Sequence, residues 1–357
     1  MAAQNPPTVA WTIDDVRAFL GLYGRAPERL AVEQLESWWC NTVLRLEADG
    51  ERLVLRRYGL TPPEEVRWEL ALLGHLRTHQ FPTIAPLAHV QTRDGTDETD
   101  AYLAEFLGSP AILYPYVEGH NACDGRVERG RGIAQTATVV ARLHGLTEGL
   151  ALPHPRVRSG TDSLRLLREL QEYAAHRVVP PPDTALREML RQGDATMQQL
   201  TARIEPYIAR PHDLPRGIVH HDAHCANVLF RDDRLVALID FDDACEGFLL
   251  ADLSAMVANW AVTSQGQTAL NHDWAAVVVR EYERHRPLTA AERDLLPDFV
   301  AAFLLADAAA YVHDRLEQDA DGDTAVHECH VYRRFLHHAG DGERLRELRR
   351  MLSRRDP

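Results

Sequence analysis

Asp222, Asn227 and Asp240 place a carboxylate, an amide and a second carboxylate around one short hairpin. They lie in His220-His221-Asp222-Ala223-His224-Cys225-Ala226-Asn227 and in Leu238-Ile239-Asp240-Phe241-Asp242. Between them, Val228 to Phe230 reads as a buried strand, Arg231 to Asp233 as a polar turn, and Leu235 to Ile239 as the returning strand. Asp222 and Asn227 precede the first strand and Asp240 ends the second, so folding the hairpin is expected to bring all three to one end. A carboxylate can take a proton from a hydroxyl, and a carboxylate with an amide oxygen offers hard ligands to Mg²⁺. Those are the parts that phosphoryl transfer requires.

The pattern H-x-D-x-x-x-x-N, followed by an apolar strand and Ile239-Asp240-Phe241, resembles the aminoglycoside phosphotransferase and choline kinase superfamily of small-molecule kinases. The resemblance implies an α+β, protein-kinase-like two-lobe fold. Its N-terminal lobe is a small antiparallel sheet and its larger C-terminal lobe is mainly helical, with ATP and Mg²⁺ as cofactors. It implies that Asp222 is the catalytic base, that Asn227 and Asp240 hold the metal, and that His220 is structural, its imidazole bonding backbone. Asp252, in Ala-Asp-Leu, resembles the Asp that supports the catalytic loop from below. His221 departs from the pattern, which usually carries Gly or another small residue there. The run Asp233 to Asp240, then Phe248 to Trp260 with its Asp-Leu and Asn-Trp pairs, looks like the bacterial homoserine kinase branch. Asp242-Asp243 stands where that branch commonly places aromatic residues, and Asp-Asp-Ala is also similar to stress-response and antibiotic kinases. Asp242 could serve a second cation or the acceptor, or could simply face solvent.

A competing reading takes His220, Asp222 and His224 as transition-metal ligands, since alternation puts them on one face of an extended segment. It leaves Asn227 and the strand carrying Asp240 without a role. No C-x-x-C pair occurs among the five cysteines and no H-E-x-x-H is present, so neither zinc signature supports it. The stretch from Asp319 to Asp323 begins like a calcium loop, but Thr324 stands where Gly is needed and His330 where Glu is needed. His313, His327, His330, His337 and His338 fall in a predicted helical pair without ligand spacing.

The elements that must position these residues begin with two alternating runs, Thr42 to Glu47 and Arg52 to Tyr58, joined by Ala48-Asp49-Gly50, a hairpin signal. Val54, Arg56 and Tyr58 share one face of the second run. A kinase-like third strand needs an apolar residue under the adenine, here Val54, and a cation two positions later for the phosphates, here Arg56. Thr61-Pro62-Pro63-Glu64 has the form of a capping box, and Val66, Leu70, Leu73 and Leu76 form the apolar stripe of the helix that follows. By resemblance to the family's R-x-E-x-x-x-L helix, Glu69 pairs with Arg56. The phosphate-covering loop is expected at Ser37 to Cys40, which contains no glycine. Ala111 to Gly119 looks like the hinge that meets the adenine, with Tyr114, Tyr116 and Val117 as its nucleotide-facing residues. Pro115 lacks an N–H, so any donor must come from a neighbour such as Val117.

Ile133 to His144 reads as a helix ending at Gly145, with His144 as a packing or capping residue. Helical patterns at Leu164–Tyr173 and Ala185–Ile204 flank a proline loop, Val178 to Pro182. This region is where related enzymes shape the acceptor pocket. The segment from Gly247 to Val262 buries Leu249, Leu253, Val257 and Trp260. A basic amphipathic helix, Arg344 to Arg355, closes the chain.

At 357 residues and 45% hydrophobic, the chain can bury the core of two lobes, expected at 1–118 for nucleotide and 119–357 for catalysis and acceptor. A net charge of −14 argues against a nucleic-acid partner. Scattered cysteines in odd number fit a reducing compartment without a disulfide framework. The N-terminus lacks a signal-peptide pattern, and Leu295 to Val312 is judged too short and polar to cross a bilayer. The expectation is a cytoplasmic, ATP-dependent kinase for a hydroxyl on a small, amine-bearing molecule, homoserine-like, with no membrane or protein partner. Antibiotic phosphotransferase, stress-response protein kinase and inactive nucleotide-binding module are the alternatives.

Overall fold

The computed structural model describes residues 10–35, 41–90, 97–153, 156, 184–210, 212–262, 268–318 and 320–353. The expected phosphate loop at 37–40, the helix at 164–173 and the loop at 178–182 lie outside those residues. The fold is the two-lobe, protein-kinase-like one, and its chain divides into two compact units. One comprises Met1–Gly119 with Ala151–Val157 and Val236–Asp242; the other comprises His120–Leu150, Arg158–Leu235 and Asp243–Pro357.

The first unit is built on a five-stranded antiparallel sheet in the order β1-β2-β3-β5-β4. Its strands are β1 (Leu30–Leu35), β2 (Thr42–Ala48), β3 (Glu51–Arg57), β4 (Ala104–Phe106) and β5 (Ser109–Pro115). The β2–β3 hairpin turns at Asp49 (φ 49°) and Gly50 (φ 89°), both left-handed as the tight turn of a two-residue hairpin requires. Alternation then buries Leu44, Leu46, Leu53 and Leu55 against Val16, Phe19 and Leu20 of α1 (Ile13–Leu22). Thr12 and Asp15 cap that helix reciprocally. On the other side Val66 and Leu70 of α2 (Pro63–Thr78) pack with Tyr58 and Ile112.

The expected capping box at Thr61 does not form, because α2 starts at Pro63 with Pro62 as its N-cap, one residue later than a Thr61 cap requires. Prolines in its first turn preset φ and carry no N–H, which leaves fewer donors to cap. Segment 236–242 joins this unit through Leu238 N, which donates to Pro82 O at 2.8 Å.

The second unit opens with β6 (His120–Asn121) and α3 (Arg129–Thr147). The helix begins four residues before its expected start, capped by Glu128, and runs through Gly145 to Thr147. After α4 (Thr184–Ile208) comes β7 (Arg216–Val219), paired antiparallel with β10 (Cys245–Phe248). Gly217 is required there: a Cβ would meet Thr147 O at 2.8 Å and Leu249 Cδ2 at 2.9 Å. The same close approach lets Thr147 Oγ1 accept from Ile218 N at 3.2 Å, which fixes the strand leading into His220.

Between these strands lies the hairpin of β8 (Val228–Arg231) and β9 (Arg234–Leu238), turning at Asp232 and Asp233, both left-handed. The helices α5 (Leu250–Trp260), α6 (His272–Glu283), α7 (Ala290–Glu317), α8 (Gly322–Glu328), α9 (His330–Ala339) and α10 (Gly342–Ser353) complete the unit. The calcium-like run is helix capping instead: Asp321 accepts from Thr324 N at the start of α8.

Two expectations are corrected here. The segment judged too short and polar for a membrane belongs to α7, which at 28 residues is long and apolar enough to cross one. However, 78% of its apolar window is buried inside the protein, against α4, α5, α9 and α10. The cysteines are not all free thiols: Cys123 and Cys225 are bonded, with Cα atoms 5.1 Å apart, while Cys245 and Cys329 are free and buried. Sequence separation of 102 residues hides such a pair, because only the fold brings β6 beside the segment preceding β8.

Candidate active site

The segment 220–227, expected to carry the catalytic base, leaves β7 and is held from one buried carboxylate. Asp252 Oδ2 accepts from His220 N at 2.7 Å, and Oδ1 accepts from His221 N at 2.7 Å. Asp252 is also bonded to His144 Nε2 at 2.9 Å, and His144 Nδ1 contacts the Tyr282 hydroxyl at 2.6 Å. Burial opposes ionisation of Asp252, but the His144 hydrogen bond and the neighbouring imidazoles outweigh it, taking its pKa down to about 2. Two adjacent backbone amides aimed at one carboxylate force a sharp bend, and His221 accommodates it at φ 65°. That conformation accounts for the Gly usual at this position. Burial, foremost, lowers the pKa of His221, which favours its neutral ring.

The bend sets up Asp222. Its backbone N donates to His220 Nδ1 at 3.2 Å, so His220 does bond backbone through its imidazole. Its carboxylate is gripped twice. Asn227 Nδ2 donates to Asp222 Oδ2 at 2.6 Å and to Asp222 O at 2.9 Å. His224 Nδ1 accepts from Ala226 N, which leaves the proton on Nε2, 3.3 Å from Asp222 Oδ1. With its amide nitrogen committed to Asp222, Asn227 retains its amide oxygen as acceptor. The disulfide from Cys225 to Cys123 anchors this segment between Asp222 and Asn227.

In the first unit, Asp240 (φ 67°) follows β9 and faces Arg56 of β3: Arg56 donates to Asp240 Oδ1 at 2.9 Å and also to Asp242 Oδ2. Asp242 is held as well by Asn41 Nδ2 at 2.5 Å, and Asn41 Oδ1 accepts from Gly59 N. Arg156 donates to Phe241 O at 3.0 Å and to Asp242 O, and its guanidinium lies 5.2 Å from the Trp68 ring. The Asp240–Asp242 turn is thus tied down at both backbone and side chain.

Glu69 does not form the expected ion pair with Arg56. Two carboxylates already hold the guanidinium, and Glu69 Oε1 accepts instead from the Tyr58 hydroxyl at 3.1 Å. Burial, then the charge of Asp242, lifts the Glu69 carboxyl to about 7. Arg56 acts on it through space only.

The residues expected on the adenine side lie where their strands put them. Val54 is the register partner of Tyr114, and burial chiefly raises the Tyr114 phenol pKa. Tyr116 N donates to Arg52 O at 3.0 Å and its ring lies 4.8 Å from the Arg52 guanidinium, so that amide is already used. Val117 follows, half-buried.

The donor set suits a hard divalent cation. Asp240 and Asp242 converge on the Arg56 guanidinium, and both offer carboxylate oxygens. Sequence reasoning missed His224 as a donor to Asp222, and it missed Asn41 and Arg156 as supports for Asp242. The spacing of His224 two residues from Asp222 was visible, but it entered only the competing transition-metal reading. Nothing local marks Asn41 or Arg156, whose contacts span 201 and 86 residues.

Comparison with known proteins agrees with this architecture. The phosphotransferase enzyme family matches residues 31–288. A homoserine kinase of Rhodospirillum rubrum is 34% identical over 235 residues, which span 66% of this chain and 65% of that enzyme. A homoserine kinase of Caulobacter is 30% identical over 80% of this chain and 81% of its own. Among solved structures, a microcompartment-associated aminopropanol kinase superposes with a TM-score of 0.67 at 19% identity, covering 96% of this chain and 99% of its own. An amicoumacin kinase does so with 0.65 at 17% identity, covering 90% and 93%. At those identities the structural likeness speaks for the fold alone. The family match carries more, and with it the chain belongs to the phosphotransferase enzyme family, as a kinase with a hydroxyl acceptor.

Proposed function

We propose that this protein is an ATP- and Mg²⁺-dependent kinase that phosphorylates a hydroxyl of a small, amine-bearing molecule, a homoserine-like amino alcohol. The observation that carries the reading is the carboxylate of Asp222, gripped by Asn227 and His224 on a segment pinned by Asp252. A base held in this way is preorganised to accept a proton without reorienting. Asn227 and Asp240 are the metal ligands in this reading, with Asp242 beside Asp240 on the same turn. Bound Mg²⁺ would supply neutralisation of the β- and γ-phosphate charge.

Asp222 accepts the proton of the acceptor hydroxyl at a carboxylate oxygen as that oxygen attacks phosphorus. Arg56 answers the phosphate charge, and Asp240 and Asp242 hold it in place until nucleotide arrives. Val54, Tyr114, Tyr116 and Val117 form the adenine side. Homoserine kinases among the similar proteins support a small amino alcohol over an antibiotic or a protein substrate. ATP as donor points to the cytoplasm, where the Cys123–Cys225 bond is unusual.

The test is ADP formation by the wild-type protein with ATP and Mg²⁺ over homoserine, 1-amino-2-propanol, aminoglycosides and a protein mixture. Acceptor-dependent turnover greatest on a short amino alcohol is expected. Turnover confined to aminoglycosides or to protein would replace the substrate class, and no turnover on any acceptor would restore the inactive nucleotide-binding module.

A further inference from the structure

Helix α7 is buried throughout Leu295–Val312 except at Phe303, Asp307, Ala310 and Tyr311. At about 100° per residue these four fall within an arc of roughly 100°. The exception is therefore a single stripe, with a carboxylate between two aromatic rings, on a helix that is otherwise core.

The stripe is electrostatically joined to the catalytic segment. Asp307 is within the electrostatic reach of Asp222 and His224, and of Arg334 on α9. Its charge is also felt at the Cys329 thiol, between α8 and α9. Among the described residues no side-chain hydrogen bond or ion pair engages the Asp307 carboxylate. A half-buried carboxylate placed solely for stability would be expected to have such partners. The Tyr311 ring, by contrast, is fixed, meeting the His330 ring edge-on at 6.3 Å.

Burial disfavours the Asp307 charge more than Arg334 and His224 favour it, and among the described residues the carboxylate has no hydrogen-bonded counter-charge. An ammonium group supplies that charge, a carboxylate can take its hydrogen bonds, and flanking aromatic faces favour it further. On the reading of the protein as an amino-alcohol kinase, we propose that the Phe303–Asp307–Tyr311 stripe is the subsite for the acceptor's amine. Asp307 receives the ammonium there, so that the hydroxyl a few bonds away meets Asp222. Asp307 is then the residue that selects amino alcohols from plain alcohols.

A titration signature follows. Burial above all, and then the charge of Asp222, raises the Asp307 carboxyl to about 6, against the lowering effects of Arg334 and His224. The ionised form binds the ammonium, so affinity for an amine acceptor should rise as pH rises through about 6.

The experiment compares wild type with Asp307→Asn and Tyr311→Leu on 1-amino-2-propanol and on its desamino analogue, 2-propanol. In Asp307→Asn the KM for the amine acceptor should rise about 10- to 100-fold, the range expected when one charged hydrogen bond is lost. The KM for ATP and the kcat/KM for the desamino alcohol should move less than about threefold. The pH dependence of the amine KM near 6 should vanish. Tyr311→Leu should raise the amine KM more mildly, and it tests the stripe if Asp307→Asn does not fold. An unchanged amine KM in a folded variant, or equal losses on both acceptors, would overturn the subsite while leaving the kinase reading intact. Wild-type protein inert on every amino alcohol would overturn both.

Discussion

Removal of the Arg56 guanidinium should destabilise the protein chiefly through the carboxylates it leaves behind. The Arg56 side chain is 14% exposed, that of Asp242 21% and that of Asp240 39%. Asp240, over a third exposed, is screened by water and counts for less. Asp242 is the partner whose charge would be stranded. At an effective dielectric of about 20, two unit charges about 4 Å apart interact by about 4 kcal/mol. Breaking a buried pair by removing one partner costs about 3–5 kcal/mol. We expect Arg56→Ala to cost about 3 kcal/mol, read as a shift of the urea midpoint at unchanged slope.

In an Asp242→Asn background the same change should cost only about 1 kcal/mol, since no full charge is stranded there. That coupling, about 2 kcal/mol, should exceed the Arg56–Glu69 coupling, because no hydrogen bond or ion pair is found between Arg56 and Glu69. The assay is a pair of double-mutant cycles by urea unfolding. Arg56→Ala within about 0.5 kcal/mol of wild type, or a larger coupling to Glu69 than to Asp242, would refute the reasoning.

Asp252→Asn replaces an acceptor of two loop amides and a histidine, and should cost about 3–5 kcal/mol in unfolding free energy. Its kcat should fall while the KM for ATP holds, measured by steady-state kinetics. His221→Gly should keep activity and stability within about 1 kcal/mol, since Gly adopts φ 65° without strain, whereas His221→Val should lose more; parallel thermal unfolding decides this. Glu69 titrates near 7 in the fold against an ordinary 4.5, so the stability its neutral form contributes is complete below 4.5 and lost as pH rises through 7. Glu69→Gln should therefore flatten unfolding free energy against pH across that window, by on the order of 1–3 kcal/mol relative to wild type.

The features legible in sequence were those whose signal is local. Asp49-Gly50 announced a hairpin because only certain residues accept two consecutive left-handed positions, and the leucines around it followed by alternation. The hairpin between Asn227 and Asp240 and the support of the segment 220–227 by Asp252 were read in the same way, from pattern and resemblance. The misreadings arose where partners meet across long separations. Glu69 was assigned to Arg56, but Tyr58, Asp240 and Asp242 compete for those atoms, a competition settled only by packing. Cys123 and Cys225 could not be paired from spacing. Asp307 carried no signal beyond being a charge in an apolar helix, and its stripe shows only when the burial of every neighbour is known.

The central claim, that Asp222 is the base of a phosphoryl transfer, is tested most directly by Asp222→Asn. The substituted amide preserves shape but cannot accept the proton, a loss that costs about 10²- to 10⁴-fold in rate. The measurement pairs transfer of the labelled γ-phosphate to an amino alcohol with nucleotide affinity by calorimetry, on the same preparation. The account predicts nucleotide affinity within about threefold of wild type and kcat lowered at least about 100-fold. Transfer at near wild-type rate by folded Asp222→Asn protein would contradict it.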